Sequence, residues 1–375
     1  MNVLQLITRN ELRGAEVFAA ELSGGLSRRG HDVRLAAIYR RQQGQLALSL
    51  EDTVTEVELG AHRQGRVELR ALRRLIGLLE QQTPDVVQAN AFHALKYAVL
   101  ARRLTRGRWP LVYRNISIAS RWLSRPWQRP WGRWLMKSVA QATSVSNASA
   151  VDLCHTYDFP ITRTRIIRRG VTVPPTLDPL AARRSLASRI ALEPDDDWQA
   201  VIHIGGFTPE KNHAGLLESF SLIAARSHTT HLVICGDGPL RSPIQQAASG
   251  SPFASRIHFL GDQSDAADLA TAADVLLLPS RIEGVPGVVL EAAARRTPAV
   301  ATRVGGLSEC IDEGRSGFLV DPDDMQAMAD HALTLLQDPA RRREMGDAAH
   351  RLISQRYGID RCVGEFEDLY AEVAS

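Results

Sequence analysis

The chain has 375 residues, of which 44% are apolar and 23% are charged, and its formal net charge is +3. These values exclude a disordered or collagen-like chain and predict two domains, each large enough to bury its own core. The four cysteines, Cys154, Cys235, Cys310 and Cys362, are too far apart for a CxxC metal or redox motif. No apolar stretch approaches the roughly 20 residues of a membrane-spanning helix, so we expect a cytoplasmic protein.

The two halves of the chain differ in charge. Residues 1–175 carry 27 basic and 13 acidic side chains, whereas residues 176–375 carry 18 basic and 29 acidic ones. This asymmetry predicts two bodies with different surfaces. Neutral drift in an arginine-rich proteome is the alternative explanation.

Strand patterns alternate with helical patterns from the first residues onward. Helical periodicity at Ala15–Arg29, between two apolar runs, predicts a βαβ unit. The predicted strands of the first half are Asn2–Thr8, Asp32–Tyr39, Asp85–Asn90, Leu111–Asn115, Ala142–Asn147 and Arg165–Arg168.

Several prolines then interrupt the pattern and predict a linker at residues 172–180. A second alternating series follows, and its strands are nearly all apolar, as a sheet covered on both faces requires. These strands are Ala200–Gly205, His231–Cys235, Arg256–Leu260, Asp274–Leu278, Ala299–Arg303 and Gly317–Val320. From Met325 the chain is predicted to be helical, and its last amphipathic segment is Asp360–Val373.

Two successive βα series predict an α/β protein with two doubly wound domains facing a cleft, and ligands at the C-terminal ends of the strands. We place the first domain at residues 1–175 and the second at residues 176–357. Residues 358–375 form a terminal helix that could pack on either domain or cross back to the first.

The strongest motif begins at Glu283, directly after a predicted buried strand, and ends at Glu291. Pro286 fits the first position of a helix, so the backbone N–H groups of Gly287 and Val288 would face an anion there. The two carboxylates could then hold the hydroxyls of two sugars that flank a diphosphate. In the alternative interpretation, Glu283 only interacts with the N-terminus of the following helix and Glu291 is an ordinary surface residue.

This segment resembles the Glu-(seven residues)-Glu motif of the retaining glycosyltransferases of family four, which have the GT-B fold and use nucleotide sugars. The resemblance implies a UDP- or GDP-sugar as substrate, retention of the anomeric configuration, and no cofactor or metal. It continues through Pro298–Thr302, Gly305–Gly306, Glu309, Gly314–Val320, Ile204–Asn212, Gly236–Pro239 and Gly14–Glu16.

The resemblance also implies roles for single residues. Glu283 is similar to the residue that contacts the donor sugar, Glu291 to the one that binds the ribose, and Lys211 to the lysine that neutralises the leaving diphosphate. Gly206 and Gly14 belong to loops that approach the donor. A surface lysine and an ordinary glycine of a βα turn are the alternatives, and Glu16 and Arg13 are expected at the surface.

Three positions depart from the family pattern. Gly206 stands where many members have an arginine beside the phosphates, and Arg169-Gly170 replaces the usual Asn-Gly. Asn115 stands where a histidine commonly ends a strand near the donor sugar, and an amide cannot act as a base. His93 is close to it in sequence, but a single histidine at a helix start is expected to be structural.

Four tryptophans, Trp122, Trp127, Trp131 and Trp134, lie between Arg121 and Lys137, where a basic residue recurs every four positions. Tryptophan and arginine together are typical of a protein surface that meets an anionic membrane. Stacking on acceptor sugars and plain core packing remain alternatives for this segment. Asn115 is grouped with it as a candidate on the acceptor side, and no nucleic-acid motif accompanies the basic half.

The sequence therefore predicts a glycosyltransferase that moves a sugar to a hydroxyl of a glycan or a lipid-linked glycan, in assembly of cell-surface polysaccharide or lipopolysaccharide. It is expected in the cytoplasm or on the inner face of the cytoplasmic membrane, with no nucleic-acid partner. Glu283 and Lys211 are the candidate catalytic residues. A nucleotide-sugar epimerase of the same shape and a non-catalytic donor-binding subunit are the alternatives.

Overall fold

The computed structural model describes residues 1–43, 45–63, 66–174, 178–193 and 197–375. The chain divides into two compact units. The first unit contains Met1–Gly170 and Ile359–Ser375, and the second contains Val171–Gly358. The boundary expected at residues 175 and 176 lies outside the described residues.

In the first unit, the described residues include a sheet of seven parallel strands in the order β3-β2-β1-β4-β5-β6-β7. The strands are β1 Asn2–Ile7, β2 Asp32–Tyr39, β3 Thr55–Ala61, β4 Val86–Asn90, β5 Leu111–Asn115, β6 Gln141–Ser144 and β7 Thr164–Ile166. The helices that connect them are α1 Gly14–Arg28, α2 Leu69–Gln82, α3 Ala91–Thr105, α4 Gln128–Met136 and α5 Asn147–Tyr157.

Strand β6 ends earlier than predicted, because the N-cap of the following helix lies two residues after it. The predicted strand Ala142–Asn147 is too long at its end, because β6 stops at Ser144. Ser146 caps α5 instead, with its hydroxyl oxygen accepting a hydrogen bond from the backbone N–H of Ser149 at 3.1 Å. A serine that satisfies a helix start cannot continue the strand ladder.

In the second unit, six parallel strands of the described residues pair in the order β10-β9-β8-β11-β12-β13. They are β8 Gln199–Ile204, β9 Thr230–Cys235, β10 Ile257–Gly261, β11 Val275–Leu278, β12 Ala299–Thr302 and β13 Gly317–Val320. The helices are α6 Pro179–Ile190, α7 His213–Ala224, α8 Arg241–Ser249, α9 Ala266–Ala270, α10 Gly287–Ala294, α11 Leu307–Cys310, α12 Met325–Gln337 and α13 Pro339–Arg356.

The last helix, α14 Ile359–Ala374, belongs to the first unit and packs against α1. The rings of Phe18 and Phe366 lie 6.1 Å apart, centroid to centroid, in this contact. Farther along α14, the hydroxyl of Tyr370 donates to Gln88 Oε1 at 2.7 Å and accepts from Gln5 Nε2 at 2.8 Å. Buried polar groups on β1 and β4 are thereby satisfied.

Each sheet has one point at which the strand order reverses, and we call it the switch point. In the first unit it lies between β1 and β4, and in the second between β8 and β11. In doubly wound sheets, ligands bind beside the C-terminal ends of the two strands that flank this point. We therefore expect binding sites among the residues that follow these four strands.

Candidate functional site

The motif around Glu283 follows β11, whose four residues are all buried. Pro286 lies one position before the helix rather than at its first position, because its ψ of 123° is extended and α10 begins at Gly287. Gly305 holds the turn of Glu283 in place. Its φ is +56°, and a Cβ at Gly305 would lie 1.9 Å from the carbonyl oxygen of Glu283. No residue but glycine fits there.

Lys211 follows β8, at the end of the 3₁₀ turn Pro209–Lys211. The next residue, Asn212, caps α7 with its side-chain oxygen and donates from Nδ2 to the carbonyl oxygen of Pro279 at 3.2 Å. The backbone N–H of Arg281 donates to the carbonyl oxygen of Glu210 at 2.7 Å. These bonds tie the loop after β8 to the loop after β11.

The two candidate catalytic side chains meet at the switch point of the second unit. Lys211 Nζ donates to Glu283 Oε1 at 2.6 Å, and the two side chains are 20% and 9% exposed. In a short ion pair of such limited exposure, each charge depends on the other, because removal of one partner would leave the other buried without compensation. The contact places a lysine and a carboxylate that are far apart in sequence within one cluster.

Two buried histidines, His203 and His213, accompany Lys211, and sequence reasoning missed both. His203 Nδ1 donates to the carbonyl oxygen of Leu277 at 2.9 Å, and the His213 ring stacks on Phe207 with centroids 4.0 Å apart. Burial above all, with a smaller effect of the charge of Lys211, lowers the pKa of His203 to about 3 and that of His213 to about 4. Both rings are therefore neutral at pH 7.

The remaining predicted donor residues of the second unit flank this cluster. Glu291 lies one helical turn after Gly287 on α10, which places both on one face of the helix. Gly287 and Val288 occupy the first turn, where backbone N–H groups have no partner within the helix. At Gly206 a Cβ would lie 3.4 Å from the carbonyl oxygen of Asp237, so the backbone leaves room for a side chain.

Gly14 belongs to the first unit, where it begins α1. A Cβ on Gly14 would lie 3.2 Å from Arg169 Nη1, so the guanidinium lies beside this helix start. Arg13 is about half exposed, as expected, but the prediction that Glu16 lies at the surface is wrong. Glu16 is buried, and the loss of hydration raises its pKa to about 7, although the charge of Arg13 opposes this effect.

Asn115 is buried at the end of β5. Its Nδ2 donates to Ser144 Oγ at 3.3 Å and to the carbonyl oxygen of Ser149 at 3.0 Å. The side chain therefore connects β5 to β6 and to the start of α5. Its assignment to the acceptor side stays a prediction.

The four tryptophans divide into two pairs. Trp131 and Trp134 stack on each other with centroids 4.9 Å apart and pack against the core of the first unit. Trp122 and Trp127 are 54% and 55% exposed. Core packing thus accounts for Trp131 and Trp134, while Trp122 and Trp127 are exposed, as are Arg121, Arg125 and Arg129 of the same segment.

Over the described ranges, no helix combines the length and apolar character needed to cross a bilayer. The same part of the chain contains no group of three or more His, Cys, Asp or Glu side chains arranged to hold a metal ion.

Comparison with known families gives two matches that together span most of the chain. Residues 12–173 match the model of glycosyltransferase family 4, and residues 199–338 match the model of the glycosyl transferases group 1. The chain belongs to the group 1 glycosyltransferases. This assignment agrees with the motif that surrounds Glu283.

Among curated relatives of this group 1 glycosyltransferase, an N-acetyl-alpha-D-glucosaminyl L-malate synthase of Bacillus anthracis is 33% identical over 173 residues. The match covers 46% of this chain and 45% of that protein. A D-inositol 3-phosphate glycosyltransferase of Xylanimonas cellulosilytica is 27% identical over 400 residues, covering 96% of this chain and 91% of that protein. The chain spans about half the length of the first two curated relatives that it matches.

Solved structures show the fold of this group 1 glycosyltransferase. The Anabaena protein HepE in complex with UDP-glucose superposes with a TM-score of 0.83 at 18% identity, covering 99% of this chain and all of that one. WaaG, a glycosyltransferase involved in lipopolysaccharide biosynthesis, superposes with a TM-score of 0.76 at 15% identity, covering 98% and 99%. The two Rossmann-like sheets are those of the GT-B fold.

Proposed function

We propose that this chain transfers a sugar from a nucleotide diphosphate sugar, UDP- or GDP-linked, to a hydroxyl of a glycan or lipid-linked glycan, with retention and without a metal. The observation that carries this proposal is the contact between Lys211 and Glu283 at the switch point of the second unit. The family assignment supports the donor class, and HepE was solved with UDP-glucose.

Lys211 is proposed to stabilise the leaving diphosphate. Negative charge grows on that group as the bond to the sugar breaks, and a cation already held beside it lowers the barrier. The two histidines next to Lys211 are neutral, so the positive charge of this cluster resides on the lysine. The N-terminal N–H groups of α10 would supply further stabilisation of the same sign.

Glu283 and Glu291 are proposed to bind hydroxyls of the donor, Glu283 those of the sugar and Glu291 those of the ribose. A carboxylate accepts hydrogen bonds and can orient two hydroxyls at once. Donor binding would replace the contact between Lys211 and Glu283 by contacts with phosphate and sugar. The pair therefore keeps both charges compensated until the donor arrives.

Retention is proposed to need no protein base. Asn115, at the position where related enzymes commonly carry histidine, is engaged with Ser144 and Ser149 and cannot take up a proton. The donor's own phosphate oxygen would receive the proton of the incoming hydroxyl.

The exposed pair Trp122 and Trp127 supports a proposal about location: this surface binds an anionic membrane, in assembly of cell-surface polysaccharide or lipopolysaccharide. Indole rings settle at the depth of lipid headgroups, and each nearby arginine adds about 1 kcal/mol of attraction to an anionic leaflet. Arg121 and Arg125 are exposed in the same segment, and Arg129 is exposed while donating to the carbonyl oxygens of Thr156 and His155.

Donor turnover with and without an acceptor tests the activity. We expect the nucleotide to be released from a UDP- or GDP-sugar only when a glycan acceptor is present, and the product to keep the anomeric configuration. Inversion of the sugar without acceptor would instead identify an epimerase. Donor binding without turnover under any condition would identify a binding subunit.

Sedimentation with vesicles tests the membrane surface. At low salt, the chain should co-sediment with vesicles that contain phosphatidylglycerol but not with vesicles of phosphatidylcholine alone. Replacing Trp122 and Trp127 with alanine should abolish the effect. Leu69→Ala, which removes another well-exposed apolar side chain of the same unit, serves as the control. Equal sedimentation of the tryptophan variant and the unaltered chain would contradict the proposal.

A further inference from the structure

Arg9 is a buried arginine with little compensation. It follows β1 by two residues and is 6% exposed. Its Nε lies 3.9 Å from Glu11 Oε1, and its guanidinium carbon lies 5.5 Å from the centre of the Tyr39 ring. Within the described residues, this buried Nε has no hydrogen-bond partner. A buried donor without an acceptor costs stability, so its presence calls for an explanation.

Two further nitrogen bases approach the same place from α3. The ring of His93 meets the ring of Tyr39 edge to face, with centroids 6.1 Å apart. His93 Nδ1 is buried and, in the part of the chain that the structure describes, has no hydrogen-bond partner. Burial first, and then the charges of Lys96 and Arg9, lower the pKa of His93 to about 4. Arg9 and His93 both contact the ring of Tyr39, and Lys96 follows His93 by three residues on the same face of α3.

The nearby carboxylates compensate the charge of Arg9 only in part. Glu11 also lies 3.3 Å from Arg13 Nε, and its Oε1 accepts the backbone N–H of Gln42 at 2.9 Å. One carboxylate is thus shared between two arginines. Glu16, which interacts with both Glu11 and Arg13, has a pKa of about 7 and is only partly ionised at neutral pH.

This cluster lies at the edge of the sheet where doubly wound domains bind their ligands. Arg9 follows β1 and His93 follows β4, and these two strands flank the switch point of the first unit. Arginine presents a planar fork of donors that matches a carboxylate or a phosphate.

We propose that Arg9, His93 and Lys96 bind a negatively charged group, a carboxylate or a phosphate, on the acceptor. This inference rests on the proposed function, since it names the chemical class of the molecule that receives the sugar. Arg9 supplies the paired hydrogen bonds, His93 donates one from its buried ring nitrogen, and Lys96 adds positive charge. The acceptor is thereby selected by its charge as well as by its hydroxyl.

Turnover with matched acceptors tests the proposal. Each pair consists of an anionic molecule and its neutral counterpart, such as glucuronic acid and glucose, or inositol 1-phosphate and inositol. We expect kcat/KM to be at least tenfold higher for the anionic member, and Arg9→Gln to remove that preference while nucleotide binding stays unchanged. Arg73→Gln, an exposed arginine on α2, is the control. Equal kcat/KM within every pair in the unaltered chain would overturn the proposal.

A direct binding measurement separates this proposal from the proposed function. Inorganic phosphate is titrated calorimetrically into the unaltered chain, Arg9→Gln and Arg73→Gln, so that phosphate bound elsewhere contributes equally to all three. Loss of one binding event in Arg9→Gln alone supports the anion site, even if no acceptor is turned over and the proposed function fails. Identical titrations of folded Arg9→Gln and the unaltered chain overturn the anion site, whatever the turnover.

Discussion

The two switch points have the same topology and opposite electrostatics. In the second unit, Lys211 and Glu283 follow the flanking strands and close an ion pair of 2.6 Å. In the first unit, Arg9 and His93 occupy equivalent places, and the nearest carboxylate oxygen of Glu11 lies 3.9 Å from Arg9. The parallel sheet brings polar groups to a defined edge, but the loops determine whether their charges are compensated. A compensated pair needs no ligand, whereas a buried arginine with one distant and shared carboxylate destabilises the fold until a ligand binds.

The largest effect is expected from Glu283→Gln. The amide keeps the size of the side chain but removes the charge that accepts hydrogen bonds from the donor sugar. We expect turnover to fall by a factor on the order of 100 to 1000, the range seen when one stabilising contact of a transition state is removed. Steady-state kinetics measure this, with exposed Glu344→Gln as the control. Undiminished turnover of Glu283→Gln would refute the role assigned to this carboxylate.

Stability should respond in opposite directions at the two switch points. Lys211→Met leaves the buried Glu283 carboxylate unpaired, and we expect the free energy of unfolding to fall by about 3 to 5 kcal/mol. Arg9→Met removes a charge without adequate compensation, and we expect a rise of about 1 to 2 kcal/mol in the absence of ligand. Urea unfolding measures both. A loss of similar size in Arg9→Met would show that Arg9 is structural.

The pH dependence of stability tests the buried carboxyl beside the first switch point. The pKa of Glu16 is raised to about 7 in the folded chain, so the stability that its protonated form contributes is complete below about pH 4.5 and is lost as the pH rises through 7. Glu16→Gln cannot ionise, and we expect it to gain about 2 kcal/mol over the unaltered chain between pH 5 and pH 8. A stability difference that does not change with pH would contradict this assignment.

The smallest effect is expected from Gly206→Arg. The backbone at Gly206 has room for a Cβ, and the family resemblance implies an arginine at this position. One added charge-assisted contact to a phosphate should strengthen nucleotide diphosphate binding by about tenfold. Calorimetry measures the change, with Gly206→Gln as the uncharged control. A similar gain in the glutamine variant would show that charge is not the cause.

Much of the fold could be predicted from the sequence, because buried strands are continuous apolar runs. The predicted bounds of β2, β5 and β13 agree with the structure. The edge strand β3 was missed because only two of its seven residues are buried and its sequence is not an apolar run. A search for continuous apolar runs, which detects buried strands, does not detect such a strand.

The candidate site was predicted less completely. The motif and the resemblance named Lys211 and Glu283 as candidates, but not the contact between them. The loops that carry them are tied by the hydrogen bond from Asn212 to the carbonyl oxygen of Pro279, which no sequence pattern shows. The cluster around Arg9 was not predicted, because the ring of Tyr39 brings the loop after β1 together with the first turn of α3. Glu16 was placed at the surface because a charged residue in the first turn of a helix usually lies there.

The central claim is that the switch point of the second unit binds a nucleotide diphosphate. It is tested most directly by calorimetric titration of UDP, GDP, ADP and dTDP, without metal, into the unaltered chain, Lys211→Ala and Glu291→Ala, with the exposed Arg343→Ala as control. We predict that one nucleotide binds selectively and that both site variants bind it at least tenfold more weakly, while the control is unchanged. No binding of any nucleotide to the folded chain, or full affinity in Lys211→Ala, would contradict the account.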